Sequence, residues 1–200
     1  RSRDRRANVA RMTVAAHSNH GVLEGHGGGF DHAGNQQALA PGQVMSWNLR
    51  NQLMQVTRVV REDGDPDDET YLYDAGGQRV LKRSTSRTRI RSLLREVLYL
   101  PGLELRRDDA TGRWLNVLSV QTGLMTVNAL QWEQGRPAGV DNEQLRFSLA
   151  DQSGSCTLEL DEQAALLGQE SYYPYGATAW WVAKSAIEAS FRTIRHSGKE

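Results

Sequence analysis

The chain has 200 residues, no net charge and an apolar content of 38%, values that fit one large or two small globular domains with a modest core. No apolar run approaches the ~18–20 residues that a membrane-spanning helix needs, so the sequence excludes such a span. The single cysteine, Cys156, excludes an internal disulfide and a thiolate metal cluster.

The neutral total hides runs of one sign. Residues 62–69 carry six acidic side chains and no base, whereas residues 82–95 carry six basic side chains and no acid. Because like charges repel one another and remain hydrated, we interpret both runs as exposed loops or faces.

The first 29 residues predict no regular structure. They are rich in Arg, His and Gly, include GHGGG at 25–29, and show neither a period of 2 nor one of 3.6. From Phe30 onward, short apolar runs alternate with Gly, Asn, Asp and Pro, which is typical of strands and turns. We therefore predict an irregular lead-in over 1–29 and a β-rich segment over 30–200.

The predicted strands follow one another as hairpins. They cover residues 70–73 and 79–82, 97–100 and 103–106, 114–120 and 125–132, and then 144–149, 155–160 and 166–173. Turn signals at this spacing predict an antiparallel all-β fold.

One short helix is predicted near residues 179–187. Thr178 can serve as its N-cap, and Trp180, Ala183 and Ile187 would share one helical face.

A turn pattern recurs along the chain: an aromatic residue, Asp or Asn, two further residues, Gly or Asn, and a polar residue. It occurs as Phe30–Asp31 with Gly34, as Trp47–Asn48 with Asn51, and as Tyr73–Asp74 with Gly77. We expect the Asp or Asn to accept hydrogen bonds from backbone N–H groups of the turn, and the Gly or Asn to supply its positive φ. The Asp or Asn positions are 17 and 26 residues apart, on the scale of a repeat array.

The turns FDHAGN and YDAGGQRV resemble the tyrosine–aspartate repeats of RHS proteins. The C-terminal third is more specific, because it resembles the stretch before the RHS-associated core. The matching residues are Asp151, Gly154 and Ser155 of a D-x-x-G-S turn, Asp161, and the element Tyr173, Pro174, Tyr175 and Gly176. With SWNLRNQL at 46–53, VLYLPGLELR at 97–106 and FRTIRHSGKE at 191–200, residues 30–200 resemble the C component of bacterial ABC-type insecticidal toxin complexes.

This resemblance implies a structural role. In that family, the repeats form a strip of antiparallel β-hairpins in the wall of a hollow shell, which a B component completes and which holds a toxic C-terminal region. The expected partners are therefore the B component, the remaining C-component shell and the encapsulated toxin, without cofactor, metal or specific nucleic acid. The expected location is extracellular, as part of the complex, although the N-terminal residues show no secretory signal peptide.

Two further expectations follow from this resemblance. The family's core domain cuts the toxin free with paired aspartates that would lie beyond Glu200, so we predict no enzymatic activity for this chain. In addition, Ala164 stands where the repeat pattern has Gly, which predicts a looser turn, or one of another type, after Asp161.

Two other functions stay open: a carbohydrate- or surface-binding repeat module, and a non-catalytic part of the self-cleaving core unit. The adjacent Trp180 and Trp181 could form a sugar platform, although such a pair more often packs in a core or an interface. The basic run could bind nucleic acid, but it lacks interleaved aromatic residues.

Other candidate sites are disfavoured by their spacing. Pro66 interrupts the calcium-like series Asp63, Asp65, Asp67 and Asp68. The zinc candidates His17, His20, His26 and His32 do not have the spacing of a helical pair of ligands. The nucleophile candidates Ser153, Ser155 and Cys156 lie outside any G-x-S-x-G motif.

Overall fold

The structure, a computed structural model, describes residues 11–23, 29–40, 42–174 and 176–198. These residues are almost entirely β-strand and turn, as predicted, and none of their helices is long and apolar enough to cross a membrane. The chain divides into two compact units, Arg1–Leu94 and Arg95–Glu200.

The strands of the first unit include a hairpin in the lead-in that was predicted to be irregular. They are β1 (Met12–Val14), β2 (Gly21–Leu23), β3 (Ala38–Ala40), β4 (Gln43–Trp47), β5 (Leu53–Val59), β6 (Asp67–Tyr73) and β7 (Arg79–Arg87). Strands β1 and β2 pair only with each other. Three residues per strand are too few to give a visible period in the sequence, which is why the pattern did not predict this hairpin.

The second unit contains the remaining strands and the only described helices. They are β8 (Ser92–Leu100), β9 (Leu103–Asp108), β10 (Arg113–Thr122), β11 (Met125–Gln134), β12 (Gln144–Ala150), β13 (Cys156–Asp161), β14 (Leu166–Tyr172), β15 (Thr178–Ala183), α1 (Ala186–Ala189) and a 3-10 turn (His196–Gly198). Strands β3 to β15 belong to one antiparallel sheet of 13 strands whose order follows the chain. The predicted strip of hairpins is thereby confirmed.

The predicted helix near 179–187 is wrong in position. Residues Thr178–Ala183 form strand β15, and helix α1 begins only at Ala186, where the hydroxyl of Ser185 accepts a hydrogen bond from the N–H of Glu188 at 3.1 Å. Aromatic and β-branched residues favour the pleated strand, and Trp180 and Trp181 pair there with residues of β14. Strand propensity and pairing therefore prevail over the helical spacing of the apolar residues.

The core of the second unit lies on one face of its sheet. Val117 of β10 pairs with Leu130 of β11, and their neighbours Leu115 and Trp132 are buried beside them. Phe191, which follows α1 in the chain, packs edge-on against Trp132 with ring centroids 5.1 Å apart. The C-terminal residues therefore cover this face.

The opposite face of the same strands is apolar and uncovered. Side chains of directly paired residues point to the same side of a sheet, so Leu118 and Val120 of β10 share this face with Ala129 and Val127 of β11. Its further members are Leu145, Phe147, Leu149, Leu158, Leu160, Leu166 and Val182. Leu118 is 47% exposed and Val120 is 66% exposed. In β12 to β14, where Arg146, Glu159 and Glu170 are buried, the ordinary arrangement with the apolar side buried and the polar side in water is reversed.

Five of the described hairpin turns share one geometry. Their first residues are Asp31, Asn48, Asp74, Asp151 and Asp161. In each turn, the side-chain Oδ1 of the first residue accepts a hydrogen bond from the N–H four residues later, at 2.8 to 3.1 Å. The fourth residue has a positive φ and donates its N–H to the carbonyl oxygen of the first. This is a type I turn followed by a left-handed residue, a common three-residue hairpin loop.

The turn at Asp161 corrects the expectation that Ala164 would loosen it. Ala164 adopts a φ of 59° and keeps the hydrogen bond to Asp161, while the Asp161 carboxylate also accepts the N–H groups of Gln163 and Ala165. The left-handed conformation costs an alanine about 1 kcal/mol, and the side-chain hydrogen bonds of Asp161 offset that cost.

We expect replacement of Gly77 by Ala to destabilise the chain by about 1–2 kcal/mol, because Gly77 has a φ of 82°. The matched control is Gly76→Ala in the same turn. Gly76 is not in the left-handed region, and its added Cβ would lie at 3.4 Å from the Asp74 side chain, an ordinary contact. Urea unfolding measures both changes, and equal effects would show that the turn does not depend on the positive φ at residue 77.

Candidate functional site

The aromatic residues that precede the turns of the first unit link neighbouring hairpins. The indole N–H of Trp47 donates to the carbonyl oxygen of Gln36 at 2.8 Å, and the hydroxyl of Tyr73 donates to that of Leu53 at 2.9 Å. Phe30 instead stacks on the ring of His20, with centroids 4.1 Å apart. These contacts give the aromatic position of the repeat a concrete role in joining one hairpin to the next.

The three turns of the first unit also touch each other. The side-chain amide of Asn35 donates to Oδ1 of Asn51 at 2.9 Å, and the guanidinium of Arg50 donates to the carbonyl oxygen of Ala75 at 3.3 Å. The same Asn35 amide, followed by backbone N–H groups of the turn, holds the pKa of Asp31 below its ordinary value. The turns therefore form a row of hydrogen-bonded loops along one edge, while their role as the motif of a larger repeat array stays a prediction.

The C-terminal element of the sequence motif forms a further turn in the second unit. The N–H of Tyr173 donates to the carbonyl oxygen of Ala177 at 2.7 Å, and the N–H of Gly176, whose φ is 89°, donates to that of Tyr173 at 2.8 Å. Pro174 is exposed, and Tyr175 lies outside the described residues.

Charged side chains around the buried residues Arg146, Glu159 and Glu170 form a cluster that the sequence did not reveal. Arg146 of β12 is 1% exposed, and its Nη1 lies 3.5 Å from Oε2 of Glu159 on β13. Its Nη2 is hydrogen-bonded to the carboxylate of Glu188 in α1, and its Nη1 donates to the backbone carbonyl oxygen of Glu188 at 3.1 Å. The guanidinium also lies 5.1 Å from the centroid of the Phe191 ring. Arg146 therefore joins two strands to the C-terminal residues.

Glu170 of β14 is the second centre of charge in this cluster. It is 4% exposed, and its Oε2 lies 3.0 Å from Nη1 of Arg192, while Oε1 lies 3.6 Å from Nη1 of Arg195. The hydroxyls of Tyr172 and Thr178 donate to the same carboxylate at 3.0 and 2.5 Å. Two hydroxyl donors and two guanidinium groups thus compensate one buried carboxylate.

The cluster lies beside a break in the sheet. Strands β13 and β14 pair only where Leu158–Leu160 faces Leu166–Gln169, so Cys156 has no partner on β14. Its N–H instead donates to the carbonyl oxygen of Arg195 at 3.0 Å, and its carbonyl oxygen accepts from the hydroxyl of Tyr172 at 3.1 Å and from the guanidinium of Arg192. Residues 185–198, which we call the strap, therefore take the place of a strand at this point.

The nucleophile candidates lie at this break, where the two serine hydroxyls are hydrogen-bonded and the cysteine is buried. The Ser153 hydroxyl donates to Oδ1 of Asp151 at 2.6 Å, and the Ser155 hydroxyl accepts the N–H of Ser197 at 3.0 Å. Cys156 is 2% exposed, and its burial raises the pKa of its thiol. A neutral, enclosed thiol is a poor nucleophile.

An open groove of about 650 Å³ lies beside Trp180, in front of the same break. Tyr173, Ser153 and Asp151 line it, together with His196 of the strap. Its walls thus combine aromatic rings with hydroxyl and carboxylate groups.

The metal candidates are not brought together in the described part of the chain. No group of three or more His, Cys, Asp or Glu side chains in that part could hold a metal ion. Asp67 accepts from Arg61 at 2.7 Å, and Asp68 accepts from Gln55 at 2.8 Å. His26 lies outside the described residues.

We expect replacement by glutamine to affect stability strongly at Glu170 and only slightly at Glu159. Glu170→Gln should destabilise the chain by about 3–5 kcal/mol, because it leaves the guanidinium of Arg192 buried beside a neutral group. Glu159→Gln should change the stability by less than about 1 kcal/mol at pH 7, because Arg146 keeps the carboxylate of Glu188. Chemical unfolding at pH 7 tests both, and equal losses would contradict the assignment of Glu170 as the centre of the cluster.

Glu159 also predicts a pH dependence. Burial raises the pKa of Glu159, and the Arg146 guanidinium offsets only part of this effect. Since its folded-state pKa exceeds that of the unfolded chain, this group stabilises the fold below the unfolded value, near 4.3, and that stabilisation is lost as the pH rises through the folded-state pKa. The stability of the parent relative to Glu159→Gln should therefore increase as the pH falls from above the folded-state pKa of Glu159 toward the unfolded value. A difference independent of pH would contradict the raised pKa.

Comparison with protein-family models gives no match. Two curated relatives from Yersinia entomophaga match the chain, the toxin subunit YenC1 with 42% identity and the toxin subunit YenC2 with 38% identity. Each match covers 94% of this chain, but only 20% of YenC1 and 21% of YenC2. The chain therefore spans about a fifth of the length of these relatives.

Solved structures of toxin complexes contain the same fold. In the complex TcdB2–TccC3–Cdc42, the matching region has a TM-score of 0.87 and 40% identity, covering 96% of this chain and 10% of that chain. In a Tc holotoxin pore from Photorhabdus luminescens, the matching region has a TM-score of 0.89 and 40% identity, and the match covers 96% of this chain and 9% of that chain. These matches confirm the resemblance found in the sequence: the chain belongs to the family of the C subunits of Tc toxin complexes, of which it represents one segment.

Proposed function

We propose that this chain is a segment of the wall of a shell that encloses a toxic polypeptide within a toxin complex. Its relatives are toxin subunits, and its fold recurs in Tc toxin complexes. Its strands follow one another in chain order, so further hairpins can extend such a sheet without rearrangement of those already present.

The bare apolar face of the second unit carries this proposal. Leu118, Val120 and Val182 are each more than 45% exposed on it, and contiguous apolar surface of this kind is typical of a face that meets another surface. The opposite face, which is apolar at β10 and β11 and polar at β12 to β14, is already covered by the strap. A segment of this construction requires an apolar neighbour, and an enclosing wall with its contents provides one.

The partners and location belong to the same proposal. We infer that the segment works with the rest of a C subunit, a B subunit and an enclosed C-terminal toxin, and that it reaches the extracellular space as part of that complex. We also infer a wall role without catalysis. The described turn carboxylates are engaged with N–H groups, and the buried ones are engaged with Arg146 and Arg192.

A segment exchange tests the wall function. Replacing the matching fifth of YenC1 with this chain should give a subunit whose C-terminal region remains as resistant to added protease as in the parent subunit, because the wall stays closed. The same exchange with Glu170→Gln is the matched control and should lower that resistance. A chimera that folds and melts cooperatively, yet leaves its C-terminal region fully digestible, would contradict the wall function.

A carbohydrate-binding module is the second candidate, and the groove favours it. Trp180 is 49% exposed and lines the groove with Tyr173, whereas Trp181 pairs with Glu170 and so points to the opposite face of the sheet. The two tryptophans therefore do not form one platform.

If the groove binds sugars, soluble oligosaccharides should bind the chain in calorimetry, and Trp180→Ala should weaken that binding by about threefold to tenfold, because a ring contact contributes ~0.5–1.5 kcal/mol. Trp181→Ala is the matched control and should leave it unchanged. Absence of binding across a panel of neutral and acidic oligosaccharides would exclude this candidate.

A further inference from the structure

We propose that the strap, residues 185–198, is a detachable plug that closes the break between β13 and β14 and opens as a unit while the sheet stays paired. The strap lies where the ladder between these strands ends, and its own backbone and side chains satisfy Cys156 in place of a neighbouring strand. Only the meaning of such an opening for a shell wall rests on the proposed function.

The strap is held mainly by polar contacts. Its helix α1 has four residues and buries none of them, and Ile187 is 44% exposed. Phe191 is its single buried apolar anchor. Segments with little buried apolar surface open at lower free energy than the core of a domain.

The closed state also contains an unrelieved polar cost. The Nε groups of Arg146 and Arg192 are buried without a hydrogen-bond acceptor among the described residues. A buried donor without a partner is unfavourable, and water would satisfy both groups once the strap leaves. Hydration of these two groups therefore offsets part of the free energy that is lost when the contacts of the strap break.

The sheet side of the break is suited to remain folded when the strap leaves. Glu170 keeps the hydroxyls of Tyr172 and Thr178, and Arg146 keeps Glu159. Cys156 still pairs with Ala150 of β12. Glu170 then still has two hydroxyl donors, and Glu159 still has a cation.

Arg192 is the residue on which closure depends. Its guanidinium bonds to the backbone of Cys156 on β13 and to the carboxylate of Glu170 on β14, so it spans both sides of the break. The side chain of Arg195 lies 3.6 Å from the carboxylate of Glu170 and is half exposed. Two arginines of one strap thus share one carboxylate, but only one of them bridges the strands.

Departure of the strap would change the groove. His196 and Ser197 of the strap line the groove together with Ser155, which accepts the N–H of Ser197. Without them, the groove would continue into the break. In a shell wall, that continuation would be an opening through which solvent or an extended polypeptide could pass.

The single thiol of the chain reports on this opening. Cys156 is 2% exposed in the closed state and lies at the break, so a small thiol reagent reaches it only when the strap has moved. We expect slow labelling whose rate rises less steeply with urea than global unfolding does, because an opening confined to the strap exposes less surface than unfolding of the sheet. Arg192→Gln should accelerate labelling at least about tenfold, equivalent to 1.4 kcal/mol in the opening equilibrium. Arg195→Gln should accelerate it less than about threefold, as is typical of a partly exposed pair.

Two results would overturn the plug. One is labelling of the parent chain with the urea dependence of its global unfolding, and the other is equal acceleration by both arginine variants. If Arg192→Gln does not fold, hydrogen exchange of the parent decides the question. The N–H groups of Cys156 and Ser197 should exchange together and faster than those of Val117 and Leu130, whereas equal protection of all four would contradict a separate opening. Neither measurement requires a toxin or a partner, so its failure is distinguishable from failure of the segment exchange.

Discussion

The attachment of the strap to the sheet of the second unit depends on one guanidinium group, that of Arg192. Where β13 and β14 separate, Arg192 bonds both to the carbonyl oxygen of Cys156 and to the carboxylate of Glu170, which the strands themselves reach only through the hydroxyls of Tyr172 and Thr178. Buried backbone and carboxylate groups have to be satisfied by the protein itself, since leaving either unpaired costs more than a typical hydrogen bond gains. The same strap carries Phe191, which packs on Trp132, and His196, which lines the groove.

The sequence was sufficient for the turns because their physics is local. An Asp at the first position and a left-handed residue at the fourth lie within five residues of each other, so the pattern around Asp74 predicts its own hydrogen bonds. Ala164 shows the limit of that reasoning. The pattern treated Gly as essential, but the three N–H groups gathered by Asp161 stabilise the same turn without it. The helix near 179–187 failed for a different reason: Trp180, Ala183 and Ile187 have the spacing of a helical face, but the tryptophans pair with β14 as part of an edge strand.

The buried charges could not be predicted from the sequence. Arg146 and Glu188 are 42 residues apart, and nothing in the local pattern distinguishes them from surface residues. The alternation of β12 was visible, with Leu145, Phe147 and Leu149 on one side and polar residues between them. The ordinary rule puts the apolar side of such a strand in the core and the polar side in water. The fold does the reverse, since Arg146 and Ser148 are buried while Leu145 is exposed.

That reversal explains why a segment of this kind has its strap. A polar face can be covered specifically by charge pairs and hydrogen bonds, which fix one register, and the strap uses Arg146 and Glu170 in this way. An apolar face needs no particular register and can adapt to whatever lies against it, because apolar contact is not directional. The chain therefore covers the polar part of its sheet with its own residues and leaves the apolar face free to contact other polypeptides. This division of the two faces suits the proposed role in a wall around a polypeptide without a fixed shape.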